Sequence, residues 1–273
     1  MPATALALAL GAAFIHASWN LLVARSRDPG VATAVAAALS VTLPLPLVAA
    51  TWRAASPVVP LAIASSGFEL AYLVLLGAAY GRAQLSVIYP LARGLAPVLV
   101  LIAGIAIAGT AGSPIAATGV VLVGVGVVAV REHGDAGAAD VVLALSIAAC
   151  IAGYTTIDKA GVTHAAPVTY YELTMTAPSL LSVAWLGRRR GIAAVRAELG
   201  PPTMLAGLGM FGAYALVLTA LTMAPAAAVS ATRETSVVIA VILAGLFLAE
   251  PVGPRRLLGA VVVVAGIAAL AVS

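Results

Sequence analysis

The chain has 273 residues, 63% hydrophobic and only 9% charged, with a formal net charge of +4 and a mean hydropathy of +1.13. Soluble domains carry about 25% charged residues, so this composition excludes an ordinary water-soluble globule. It points instead to an all-α integral membrane protein whose spans are helices of ~20 residues, because the bilayer core offers no partner to an unpaired backbone group. The modest positive charge is dispersed over the loops and leaves no nucleic-acid footprint. The single cysteine, Cys150, lies in an apolar run and rules out a disulfide framework.

In chain order, turn residues and charges mark ten apolar segments: 3–24, 31–51, 58–80, 84–108, 114–130, 138–158, 166–187, 203–223, 225–249 and 255–272. The start, MPATALALALGAAFIHASWN, has the apolar run of a signal sequence without its basic n-region, since Arg25 is the first basic residue. It reads as a retained first span. Span one carries His16 and Asn20 at i, i+4, on one helical face. Glu69, Tyr72 and Tyr80 form a stripe along span three. Span four holds Tyr89 and Arg93, again i, i+4, and Pro90 and Pro97 bracket the arginine. Proline removes a backbone donor and disfavours helix in the residue before it, which predicts a kinked or broken span four. Span six carries Tyr154 and Asp158, span seven Glu172 after Tyr170 and Tyr171, and span eight Tyr214. Span nine carries Arg233 and Glu234, whose side chains should point about 100° apart and serve different neighbours. Tyr80, Tyr170, Tyr171, Trp52 and Trp185 fit an interfacial aromatic belt.

The two halves align without gaps in two places. An offset of 140 maps Arg93 onto Arg233, Pro114 onto Pro254, Gly119 onto Gly259 and Gly126 onto Gly266. An offset of 138 maps His16 onto Tyr154, Asn20 onto Asp158 and Pro29 onto Pro167. The expected organisation is therefore a first five-helix repeat over 1–130, a short linker at 131–137 and a second repeat over 138–273. An odd number of spans per repeat makes the two copies inverted, with a pseudo-two-fold axis in the membrane plane. Loops after the odd-numbered spans hold ten basic residues and the other side only Arg53 and Lys159. That asymmetry predicts cytoplasmic odd loops and both termini outside.

Charges at bilayer depth are expensive and mark pathways or sites. Either Arg93 pairs permanently with Glu69 or Glu234 and holds helices together, or Arg93 and Arg233 offer planar guanidinium forks to an anionic ligand. Glu69, Glu172 and Glu234 would then read an amine on the same ligand or carry a coupling proton. His16, Asn20, Tyr72, Tyr89, Tyr154, Asp158 and Tyr214 complete the candidate substrate-binding set.

Three stretches carry a family resemblance: HASWNLLVARSRD in span one, LSVIYPLARGLAPVLVLIAG in span four, and ETSVVIAVILAGLFLAEPVGPRRLLGAVVVVAGIAAL at the end. In these the chain resembles the ten-helix EamA-type members of the drug/metabolite transporter superfamily, over essentially its whole length. Glu250 matches the glutamate that family places between its last two helices; the first half has Thr110 instead. The resemblance implies a monomeric or weakly dimeric secondary transporter with a central cavity lined by both halves, working by alternating access. Family members move amino acids, nucleotide sugars, sugar phosphates and other polar metabolites. HASWN and YPLAR are similar to a subgroup handling amino-acid-like or phosphonate compounds.

The expected function is export of a small anionic or zwitterionic metabolite across a cell inner (plasma) membrane, with the proton as candidate coupling ion and membrane lipid as surroundings. The alternatives are a lipophilic-cation exporter, which two deep arginines disfavour, and a flippase subunit for a lipid-linked sugar. No HExxH, GxSxG or metal-spaced His/Cys group is present, so neither enzyme activity nor a metal or other cofactor is expected.

Overall fold

A computed structural model describes residues 1–80, 85–109, 113–129, 137–239, 242 and 254–272, with all side chains except those at 77, 80, 85–87, 89–90, 108, 255–257 and 271. The described residues are almost wholly helical: α1 (Ala3–Ala24), α2 (Pro29–Thr42), α3 (Leu45–Ala50), α4 (Val58–Tyr80), α5 (Leu85–Ala108), α6 (Pro114–Ala129), α7 (Ala138–Gly161), α8 (Pro167–Arg190), α9 (Ile192–Ala197), α10 (Pro201–Met223), α11 (Ala226–Arg233) and α12 (Pro254–Val272). Among these residues, five helical segments are long and apolar enough to cross a membrane: Ala3–Ala24, Pro29–Ala50, Val58–Leu76, Ala138–Gly161 and Pro201–Met223. Leu91–Ile107, Pro114–Ala129 and Leu258–Leu270 are shorter apolar helices. Arg82, Thr110, Arg131 and Glu250 lie outside the described residues.

Local sequence explains most helix ends. Pro29 and Pro167 occupy first-turn positions, where a missing N–H costs nothing. Asp28 caps α2 by accepting from the Gly30 and Val31 amides, both at 3.1 Å. The expected span 31–51 is divided, because Pro44 cannot donate to a continuing ladder and α3 restarts behind it. The expected disruption of span four does not occur as a break: α5 runs as one helix through Pro90 and Pro97. The break falls instead in span nine. There α11 ends at Arg233, the Glu234 amide bonds back only three residues to Ala231 O at 3.1 Å, and helix resumes over 235–239. A helix can absorb a proline by losing one hydrogen bond. The span-nine turn tightens instead, with Thr232 and Thr235 hydroxyls occupying nearby carbonyls.

The helices pack in exchange-related pairs. Taking α1, α2, α4, α5 and α6 with α7, α8, α10, α11 and α12 as counterparts, α1 on α10 answers to α7 on α4. Likewise α2 on α10 answers to α8 on α4, and α1 on α11 to α7 on α5; α2·α8, α5·α11 and α6·α12 each pair with themselves. Glycines set the closest of these contacts. A Cβ on Gly119 would lie 2.8 Å from Gly266 O, and one on Gly126 would lie 2.8 Å from Gly259 O. The offset matches Gly119 with Gly259 and Gly126 with Gly266, so each glycine contacts the counterpart of the other. An antiparallel crossing about a two-fold axis requires this exchange. Close backbone approach is how apolar helices associate in lipid, where burial of apolar surface gives no drive.

The radial distribution of polarity is that of a membrane protein. Ile63, Val74, Ile107, Val142, Leu258 and Val264 face outward. Glu69, Arg93, Asp158, Glu172, Arg233 and Glu234 are all buried. Trp52 and Trp185 are exposed, as an interfacial belt requires, whereas Tyr170 and Tyr171 are fully buried. These two belong to the core between helices: Tyr171 shares a 2.6 Å hydrogen bond with Ser40 and packs edge-on against Phe211 and Tyr214. The expectation of a belt position for them fails because a sequence position near a span end does not fix which way the ring points.

One end of the bundle is closed by backbone. Ala54 and Ala165 form an antiparallel bridge, flanked by Ala55 N donating to His164 O at 2.8 Å and Ala166 N donating to Arg53 O at 2.9 Å.

Gly126→Leu and Gly266→Leu should each destabilise the protein by about 1–3 kcal/mol through forced separation of α6 from α12, read as a lower melting temperature in detergent. Gly67→Leu, at a site where a Cβ meets nothing within 4 Å, should leave it near the parent value.

Candidate substrate-binding cavity

A cavity of about 820 Å³, counting the space at its mouth, lies inside the bundle. Eight helices line it. α1 contributes Ala12, His16, Trp19 and Asn20; α4 contributes Glu69, Tyr72, Leu73 and Leu76; α10 contributes Met210, Ala213, Tyr214 and Val217. Thr33 of α2, Arg93 of α5, Tyr154 of α7, Met175 of α8 and Arg233 of α11 complete the wall. The lining of α1, α2 and α4 sits toward the ends joined by the α1–α2 and α4–α5 connections. The lining of α7, α8 and α11 sits toward the α7–α8 and α10–α11 connections instead, so the wall draws on both ends of the bundle.

The two arginines reach it in related ways. Arg93 Nη2 and His16 Nε2 are 2.8 Å apart. Arg233 Nη2 donates to the Tyr154 hydroxyl at 3.0 Å. His16 and Tyr154 are the offset-138 pair, and Arg93 and Arg233 the offset-140 pair, so each arginine holds the corresponding residue on the first helix of its own half. Their charge balance differs. Arg93 Nη1 donates to Glu234 Oε1 at 3.3 Å, an ion pair with side-chain exposures of 3% and 0%. Arg233 has no carboxylate within ion-pair distance among the described residues, and its Nε has no hydrogen-bond partner there. As expected for adjacent helical residues, the two neighbouring side chains serve different partners, Arg233 reaching Tyr154 and Glu234 reaching Arg93. In the first half the position matching Glu234 is Gly94, so two arginines share one carboxylate.

Opposite this charge, the Tyr214 hydroxyl lies between two acids. It is 3.0 Å from Glu69 Oε1 and in a short contact with Asp158 Oδ2. Ser65 donates to the other Asp158 oxygen at 2.6 Å. Tyr154 packs edge-on against both Tyr72 and Tyr214.

Of the candidate residues named from the sequence, the cavity brings together Arg93, Arg233, Glu69, His16, Asn20, Tyr72, Tyr154 and Tyr214. Three others do not line it. Glu234 is fully buried behind Arg93. Asp158 is fully buried behind Tyr214. Glu172 is turned within α8, where Thr176 donates to its Oε1 at 2.8 Å. The i, i+4 geometry puts Asp158 on the Tyr154 face but cannot tell which residue a neighbouring helix covers. The Tyr89 side chain lies outside the described residues. Sequence reasoning missed the apolar wall of Trp19, Leu73, Leu76, Met175, Met210 and Val217. Apolar residues facing a cavity and apolar residues facing lipid carry the same signal in a chain of this composition.

A mostly apolar cavity with arginine, glutamate and tyrosine groups in its wall, enclosed by helices whose outer surface is apolar, fits a multi-pass membrane transporter. The family model described as the EamA-like transporter family matches residues 139–272, and the chain belongs to that family, a branch of the drug/metabolite transporter superfamily. No curated protein matches it. A solved structure, described only as a crystal structure of a protein, is similar over the whole molecule at 16% identity. It has a TM-score of 0.75 and the match covers 100% of this chain and 98% of the other. That likeness shows the shared fold.

Arg93→Ala would strand Glu234 as a buried lone carboxylate, and breaking such a pair from one side costs about 3–5 kcal/mol. Arg233→Ala removes a charge that has no carboxylate partner and should cost much less. A thermal melt of the two purified variants should therefore show a far larger drop for Arg93→Ala, and equal drops would contradict the unequal charge balance.

Proposed function

We propose that the protein is a secondary transporter, working as an exporter, for a small anionic or zwitterionic metabolite such as an amino acid or an amino-acid-like or phosphonate compound. The unbalanced positive charge of Arg233 in a low-dielectric cavity supports this most directly. A guanidinium with two unoccupied edges attracts a carboxylate or phosphonate strongly where water is scarce, and it repels a lipophilic cation. Arg93, held by His16 and Glu234, is the preset second fork, and Glu69 with Tyr72 and Tyr154 forms the opposite wall. Trp19, Met210 and Val217 would pack the ligand's carbon skeleton.

In this reading the chain forms two inverted five-helix units, over 1–130 and 138–273, spanning a cell inner membrane with both termini outside. The exchange-related packing and the glycine crossing support the inverted pair. The excess of basic residues on the odd loops supports the orientation. We take the Ala54–Ala165 bridge as the outer closure, with the cavity open to the cytoplasm in this state. Rocking one unit on the other about the α6–α12 crossing would break that bridge and close the inner mouth. Binding drives such a change only if the ligand is held more tightly in one state.

The test is ligand-induced thermal stabilisation of purified protein, screened against amino acids, alkylphosphonates, sugar phosphates and lipophilic cations. An anionic or zwitterionic compound should raise the melting temperature of the parent, and Arg233→Ala should abolish that rise while still folding. Stabilisation by cations, or a rise that survives Arg233→Ala, would overturn the assignment.

A further inference from the structure

We infer that Glu69, Tyr214 and Asp158 form a built-in proton-binding site, in which Glu69 carries an exchangeable proton and Asp158 stays ionised. The inference comes from counting hydrogens. A phenol has one proton to donate, yet the Tyr214 oxygen lies within hydrogen-bond distance of a carboxyl oxygen on each side. With both acids ionised, one of those two contacts would be oxygen against oxygen with no hydrogen between them, inside a buried site where an unmet polar contact is costly. One added proton satisfies all three groups.

The remaining donors decide which acid takes it. Asp158 is fully buried and already accepts from Ser65 at 2.6 Å, so donation by Tyr214 gives it a second donor. Two donated hydrogen bonds favour the charged form. Among the described residues no bond to Glu69 other than that of Tyr214 is found, and Glu69 lines the cavity, where water reaches it. The arrangement is therefore Glu69 O–H donating to the Tyr214 oxygen and Tyr214 O–H donating to Asp158. On release, the proton leaves Glu69 for cavity water, and Tyr214 is left to serve two carboxylates with one hydrogen.

The surroundings set how readily this happens. Buried Glu69 faces the negative charge of Asp158 on α7 and the positive charges of Arg233 on α11 and Arg93 on α5. Tyr170 on α8 faces Asp158 and adds a further hydroxyl to the buried side. Cys150 and Tyr154 on α7 and Tyr171 on α8 feel the Glu69 charge but carry none of their own at neutral pH. His16 on α1 stands beside Arg93, on the arginine side of the cavity.

An anion bound at Arg233 would offset the positive charge acting on Glu69 and so strengthen its hold on the proton. Ligand and proton would bind together and so cross in the same direction, export then being driven by the ligand's own outward gradient and carrying the proton with it. That coupling role rests on the transport function proposed above; the protonation itself does not.

Infrared difference spectroscopy on the purified full-length protein, stepped between acid and alkaline buffer, reads the proton directly and needs no substrate. The parent should show a protonated-carboxyl C=O band that disappears as pH rises. It should be absent in Glu69→Gln and in Asp158→Asn, because removing either acid leaves Tyr214 one carboxylate to satisfy. The surface variant Asp140→Asn should keep it. Tyr214→Phe, which retains both acids, should shift the band to higher frequency through loss of a hydrogen-bond partner. A band that persists in both acid variants, or one unmoved by Tyr214→Phe, would overturn the proposal. So would a parent without the band, or one in which sodium ion stabilises the site in place of the proton. A protein that holds the proton but is never stabilised by anions would instead refute only the arginine-based substrate assignment.

Discussion

Glu234 is the residue on which the electrostatics of this molecule turn. Two arginines face one low-dielectric cavity, and the second half supplies a single carboxylate beside its own arginine. That carboxylate crosses to the arginine of the first half. The position equivalent to Glu234 in the first half is a glycine, Gly94, whose Cβ would lie 2.7 Å from Gly124 O. Helix α5 needs that position empty to meet α6, so the packing of the first half forbids the second carboxylate. Arg233 is left without a paired carboxylate among the described residues as a consequence, and the arginine side of the cavity keeps a positive charge that only the acids across the cavity offset.

That charge is tolerable only because of what surrounds it. Tyr154 satisfies one edge of Arg233, and its ring lies under the cation at 6.0 Å from the guanidinium carbon, a further modest attraction. Arg233 and Glu234 diverge by about 100°, as helical neighbours do, and reach two different partners at the turn that ends α11. The acids across the cavity, Glu69 and Asp158, are tied together by Tyr214, with Ser65 on Asp158. The cavity thus has a basic wall and an acidic wall, the polarity that a zwitterion or an anion with an accompanying proton would meet.

The scaffold that sets these walls is held by small residues. At α6 and α12 the glycine contacts bring backbones together about the approximate two-fold axis. At the end closed by the Ala54–Ala165 bridge, loop backbone from one half pairs with loop backbone from the other. The first contact is extensive and apolar. The second consists of a few hydrogen bonds at an accessible loop.

The sequence by itself determined the membrane character, the helical class, most helix positions, the family and the presence of two deep arginines at matching places. Each follows from composition, hydropathy or a repeated spacing, which are properties of the chain in one dimension. The offset glycines were visible too, although their purpose as contacts across a helix crossing was not. Only the tertiary structure decided that Glu234 belongs to Arg93 and not to a ligand, and that Asp158 lies behind Tyr214. It likewise decided that Tyr170 and Tyr171 are core, and that the helix break sits at Glu234 and not beside Pro90 and Pro97. A period of 3.6 residues fixes which side chains share a face of their own helix. It carries no information on what the neighbouring helix covers, and in a chain this apolar that covering is what separates a buried ion pair from a residue at the cavity wall.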